Sequence, residues 1–172
     1  MARYSTAVTS QAGQLAGANV TTTVNGYIGY WGASATAGFR LRRLLVGMRL
    51  SGAGTITSQQ LTIGVFRQTV APAGTGLATA IPGEAEEIWT PADPTVGIIT
   101  TTAATIGTTG PTVNANPLVA PTFNDQSGWD VPFEFPDDIV CNKGTANGLA
   151  FVLLGQALPA LHMATLTVSV EV

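Results

Sequence analysis

Charge is what this sequence lacks most. Only 10% of its 172 residues are charged, against about 25% in an ordinary soluble domain. Seven basic and ten acidic groups cannot coat the whole surface, so Thr, Ser, Gly, Asn and Gln must form much of it. Such a surface suits close contact with other protein, because few charges need desolvating on contact. Lysine occurs once, at Lys143, and the formal net charge is −3. A general nucleic-acid binder needs many cationic groups to displace counterions, so direct nucleic-acid binding is not expected.

Cysteine and histidine are equally scarce, with Cys141 and His162 alone. A single cysteine excludes an internal disulfide framework, and Cys141, following Ile139 and Val140, reads as a small buried hydrophobe. A zinc site draws on several His and Cys ligands, so neither a metal nor a cofactor is expected. Cys141 and His162 as a thiolate pair would want a third, orienting group, and none is legible. His162 lies in the apolar stretch Leu158 to Met163 and reads as a structural or interface residue. There is no Gly-x-Ser-x-Gly elbow and no phosphate loop with lysine, so the chain is not expected to be an enzyme. Long apolar runs are missing too. The longest, Leu149 to Leu154, is too short to cross a bilayer. Met1 to Ala12 carries only Arg3 and no apolar run follows, so a soluble protein made in a cytoplasm is expected. In that setting the sequon Asn19-Val20-Thr21 carries little weight.

Helix signals are nearly absent, since Gly, Pro and Thr recur throughout. The one competitor is Phe39 to Leu50, where Leu41, Leu44, Leu45 and Met48 fall at helical spacing. The same segment alternates as a strand, with Leu44, Val46, Met48 and Leu50 on one face. Gly47 and the flanking Gly-rich turns favour the strand. Elsewhere the period of two is clear: Leu61, Ile63 and Val65; then Trp129, Val131, Phe133 and Phe135; then Leu166, Val168, Val170 and Val172. Each row belongs to a half-buried antiparallel strand. Pro132 marks an edge or a bulge. Gly148 to Leu154 is apolar on both faces and reads as a central strand. Asn25-Gly26 is a two-residue hairpin signal; Ser51 to Gly54 and Asn147-Gly148 mark further turns. The expected fold is an all-β antiparallel sandwich or jelly roll of roughly eight to ten strands. Residues 1–17 read as an extended N-terminal arm, residues 18–172 as a single domain. Thr/Gly/Pro-rich residues 71–83 and 100–121 read as long loops.

Three candidate sites emerge. Glu84, Glu86 and Glu87 precede Trp89, and Asp137 and Asp138 follow Pro136. Carboxylates so grouped can hold calcium or do acid–base work, but neither group has Ca²⁺-loop spacing, and both read as solvated turns. Trp31, Trp89 and Trp129 could stack on sugar rings, although Trp129 is in phase with a core face. Arg40, Arg42, Arg43 and Arg49 form the third. As a plain strand, Arg40 and Arg42 share one face and Arg43 and Arg49 the other. They are either the charged guard of an edge strand or contacts to an acidic partner surface, for which Arg suits better than Lys.

The chain resembles small virion proteins of tailed bacteriophages. The likeness rests on the Met-Ala-Arg start, the Arg-rich strand RLRRLLVGMRLSG, and Pro-Ala-Asp-Pro at 91–94. It continues through GWDVPFEFP from Gly128 to Pro136 with Asp137 after it, the Gly-initiated apolar strand at Gly148, and the alternating last strand. Among these it looks like head decoration, or cement, proteins with jelly-roll folds. The resemblance implies a homo-oligomer, commonly a trimer, that sits on the capsid surface and clamps neighbouring capsomers through the major capsid protein. It implies no catalytic residues, and an arm over Ala2 to Gly17 that reaches a neighbouring subunit. Alternatives are a tail, fibre or adaptor module of the same virion, or a lectin-like carbohydrate-binding jelly roll.

Overall fold

A computed structural model describes residues 3–9, 27–33, 35–50, 52–53, 55, 58–70, 80–82, 84–85, 97–100, 112–134, 138–155, 158–159 and 161–172. Thirteen strands and no helix occur among them: β1 (Arg3–Thr9), β2 (Tyr27–Gly32), β3 (Phe39–Leu50), β4 (Gln60–Val70), β5 (Ala80–Pro82), β6 (Glu84–Ala85), β7 (Gly97–Thr100), β8 (Thr112–Val113), β9 (Thr122–Asn124), β10 (Trp129–Pro132), β11 (Ile139–Cys141), β12 (Gly148–Leu154) and β13 (His162–Glu171). Sheet A runs β10-β3-β13-β1-β6, with β11 also against β3; sheet B runs β5-β7-β2-β12-β4-β8, with β9 also against β4. All pairings are antiparallel. The described strands outnumber the eight to ten expected partly because β10 and β11 share one flank of β3, and β8 and β9 one flank of β4.

The two sheets pack face to face as a β-sandwich. Sheet A supplies Leu41, Leu44, Val46, Leu166, Val168 and Val170; sheet B supplies Ile28, Leu61, Ile63, Val65, Leu149, Phe151 and Leu153. Each fully buried side chain of this size contributes on the order of 2 kcal/mol. Trp31 and Phe39 join the core with ring centroids 6.1 Å apart. The outer face of sheet B is buried as well, through Tyr30, Phe66, Ala150 and Val152. That explains why Gly148 to Leu154 is apolar on both faces: β12 is central, between β2 and β4. Burial also pushes the Tyr30 hydroxyl up to about 12.

Two expectations about β3 change. It is not an edge strand, because β13 flanks it on one side and β10 and β11 on the other. Its parity also breaks once. The register with β13 shifts between Ser169, opposite Arg43, and Val170, opposite Leu41, which leaves Arg42 as the extra residue of a bulge. Leu41 and Leu44 can then both face inward, and Arg40, Arg42, Arg43 and Arg49 all lie on the outer face instead of dividing between two faces. Pro132 does sit on an edge strand among the described residues, where β10 pairs only with β3.

The segment read as an arm contains β1, which pairs with β13 over seven residues and places Tyr4 in the core. The expected loops contain β5, β8 and the bridge from Val119 to Val65; residues 71–79, 83 and 101–111 lie outside the described residues. So do Asn25-Gly26, Glu86, Glu87, Trp89 and Asp137, along with the Glu84 side chain.

Candidate functional site: the outer face of sheet A

Register sets the outer face in rows. Arg3, Glu171 and Arg40 stand side by side across β1, β13 and β3, and Ser5, Ser169 and Arg43 form the next row. Ala7, Thr167 and Leu45 follow, and then Thr165 with Gly47. Five of the seven basic residues of an acidic chain therefore share one face. Three carboxylates pair with the arginines among the described side chains, those of Asp130, Asp138 and Glu171.

The arginines are held in place. The Nε and Nη2 groups of Arg43 donate to Oδ1 and Oδ2 of Asp130 at 2.9 and 2.6 Å, a bidentate fork. This pairing holds the Asp130 carboxyl below the usual carboxylate range, chiefly through the hydrogen bond from Arg43; desolvation opposes the shift, and the charge of Arg43 adds to the lowering. Nη1 of Arg40 donates to Oδ2 of Asp138 at 2.9 Å, and Arg42 lies 3.8 Å from the same oxygen. Arg42 also donates to Oε2 of Glu171 through Nε and Nη2. Beside this end, Arg67 closes the gap between the sheets, its Nη1 donating to the Val140 carbonyl at 2.6 Å.

Arg49 stands apart. It projects near the other end of β3, a strand of 12 residues that spans roughly 35–40 Å at about 3.3 Å per residue. There Met48, Arg49, Leu50, Asp125, Gln126 and His162 line a pocket of about 190 Å³. Met48, Asp125 and Gln126 also border a groove of about 330 Å³ on the outer face. The groove has Gly47, Thr165 and Thr167 on its floor and Ser127 and Trp129 on its wall. A Cβ on Gly47 would meet Oγ1 of Thr165 at 2.9 Å, so the floor depends on that glycine.

The turn after β9 builds the wall. Its Ser127 and Gly128 amides donate to the Asn124 carbonyl at 3.0 and 3.2 Å, and Gly128 takes a left-handed φ of 68°. Asp125 is anchored there by paired contacts to Gln59: its amide donates to the Gln59 carbonyl at 3.1 Å, and its Oδ1 accepts from the Gln59 amide at 3.2 Å. Its other oxygen, Oδ2, is buried without a hydrogen-bond partner and lies 3.9 Å from Nε2 of His162. Both side chains are at least nine-tenths buried. Leu161, just before His162, has a φ of 67°, a strained setting for a leucine.

The pairing of Asp125 with His162 was not legible in the sequence, because only the fold brings the β9–β10 turn to the start of β13. Cys141 and His162 sit opposite Phe39 and Leu50, at the two ends of β3, so they form no dyad. Cys141 is buried, and desolvation pushes its thiol up to about 11, with the charge of Arg67 opposing. Trp31 is wholly buried and cannot stack on a ligand. Trp129 packs against the core but also lines the groove. Among the described residues no group of three or more His, Cys, Asp or Glu is placed to hold a metal ion, and no helix is long and apolar enough to cross a membrane. No family model, no curated protein and no solved structure matches the chain.

Proposed function

We propose that the protein is a non-enzymatic structural module that docks on a larger particle through the Arg40, Arg42 and Arg43 end of sheet A's outer face. One observation carries the reading: five of the seven basic residues of a chain with net charge −3 lie on that face. The arginines at this end are already hydrogen-bonded to Asp130, Asp138 and Glu171. Docking therefore has little side-chain freedom to remove, and partly neutralised guanidinium groups cost less to desolvate. Small uncharged neighbours, Ser5, Ala7, Thr167 and Ser169, keep the surface flat. In the setting suggested by the phage-like motifs, the particle is a phage head and the partner surface belongs to the major capsid protein. The chain is then a jelly-roll decoration protein, trimeric, on the outside of the virion. Weak contacts repeated over such a lattice add up through avidity.

The test is quantitative proteomics of purified particles from the source, alongside light scattering of the isolated chain. Copies in the hundreds per particle fit a shell protein. A handful per particle moves the role to tail, fibre or adaptor, and none overturns the reading. Arg43→Ala, whose partner Asp130 is exposed, should weaken attachment to particles, with the melting curve showing that the variant stays folded.

A further inference from the structure

We infer, on the reading of sheet A's outer face as a docking surface, that the groove over Gly47 receives one large apolar side chain of the partner. That side chain belongs to an extended segment with carboxylates on either side of it. Along β3, Arg43, Leu45, Gly47 and Arg49 alternate with the core residues Leu44 and Val46 and so project outward in turn. The row is a gap beside an exposed leucine, with a guanidinium group at each end. Gly47 leaves the gap. Its cross-strand partner is the short Thr165, and on its other flank the Gly128 backbone comes close, since a Cβ on Gly128 would lie 3.7 Å from the Gly47 Cα. The resulting groove of about 330 Å³ has room for one large side chain.

The lining selects an uncharged, apolar occupant. Leu45 is 39% exposed, one of five large hydrophobic residues exposed among the described residues. Met48 and Trp129 pack against the core and still line the groove. The two carboxylates of the lining are already engaged. Asp130 accepts the Arg43 fork. Asp125 is turned inward, its Oδ1 on the Gln59 amide and its Oδ2 3.9 Å from Nε2 of His162. An apolar group against Leu45 and Trp129 therefore displaces water without stranding a charge. The ends of the row set what flanks it. Arg49 is exposed and has no carboxylate partner among the described residues, and the Arg43 side chain is 56% exposed. They stand two and four residues from Gly47, about 7 and 13 Å along the strand. An extended partner segment lying along β3 meets them with Asp or Glu at the same two spacings from its apolar residue. Anchors of this kind, seated in a pocket beside arginines, carry much of the binding energy of an interface.

The test uses purified particles from the source and variants of the whole chain. Thr165→Phe lays an aromatic ring over Gly47 across the strand pair, a packing that supports sheets, and fills the groove without touching the arginines. It should melt no lower than the parent chain and bind particles about tenfold or more weakly. Arg49→Gln should weaken attachment several-fold and reduce its dependence on salt. A photo-cross-linking residue in place of Gln126 should capture, on the particle, a peptide with a large apolar residue and Asp or Glu two and four positions from it. That capture decides independently of how Thr165→Phe folds. The inference is overturned, and the docking reading left standing, if Thr165→Phe or Arg49→Gln attaches like the parent chain while Arg43→Ala attaches weakly. If none of the three loses attachment, the docking reading fails and the role of the groove goes with it. A captured peptide that is basic or lacks a large apolar residue, or no capture by attached protein, also overturns the inference.

Discussion

Arg42 and Glu171, 129 positions apart in the chain, meet as a guanidinium–carboxylate pair on the outer face of sheet A. The pair exists because Arg42 is the bulge residue of β3, which turns it to the same side as Arg40 and Arg43. The Glu171 side chain is only 9% exposed, so its charge relies on this partner.

Replacing Arg42 with alanine should therefore lower stability by about 2–3 kcal/mol, since it leaves a buried carboxylate without its donor. Joint replacement of Arg42 and Glu171 by leucine should recover most of the loss, because the unpaired charge goes with its partner. Urea midpoints of the single and double variants decide the matter. An unchanged midpoint for Arg42→Ala would mean that the pair does not support the fold.

Asp130 should titrate below the ordinary aspartate range, and Arg43→Ala should bring it back, as read by carboxyl carbon shifts. The sign follows from the depressed value. The folded state holds its proton less tightly than the unfolded chain, so the contribution to stability is present above the unfolded value. It is lost as the pH falls through the lower, folded one. Asp130 is solvent-exposed, so the titration curve is the better readout.

Cys141 should resist thiol reagents at mildly alkaline pH in the native protein and react at once on denaturation. Its folded value is raised toward 11, so the fold favours the protonated thiol. The unfolded chain loses that proton first as the pH climbs. Stability should then fall with rising pH between the ordinary thiol range and about 11. Rapid labelling of the native protein would contradict this.

Gly128→Ala should cost about 1–3 kcal/mol, because the residue sits at φ 68° and a new Cβ would meet the Val46 carbonyl oxygen at 2.7 Å. Gly52 provides the control: a Cβ there meets nothing within 4 Å, and Gly52→Ala should change the melting temperature little.

The strands whose apolar residues alternate over a long run were readable in advance. Leu166, Val168 and Val170 face the core as their period of two requires, and Gly148 to Leu154 is central because both its faces are apolar. The Arg-rich strand was only half readable. Alternation holds on either side of Arg42, but one inserted residue leaves no mark in composition, and it moves Arg40 and Arg42 to the side of Arg43. The strand at Arg3–Thr9 was hidden for another reason. It carries few large apolar residues, and its partner is the last strand of the chain. The Asp125–His162 pocket is non-local in the same way. A lone histidine in an apolar stretch reads as core until the turn that faces it is known.

The pairing of β1 and β3 with β13 also sets a timetable. β13 is the middle of sheet A and the last of the described strands to leave the ribosome. Until it does, β3 has no neighbour on that side, and Leu44 and Val46 stay open to whatever apolar surface is near. Closure of the sheet waits on a contact between distant parts of the chain, which slows folding and lengthens exposure to aggregation. A truncation that removes β13 would strip β1 and β3 of their common partner together, leaving sheet A split in two and its half of the sandwich core uncovered.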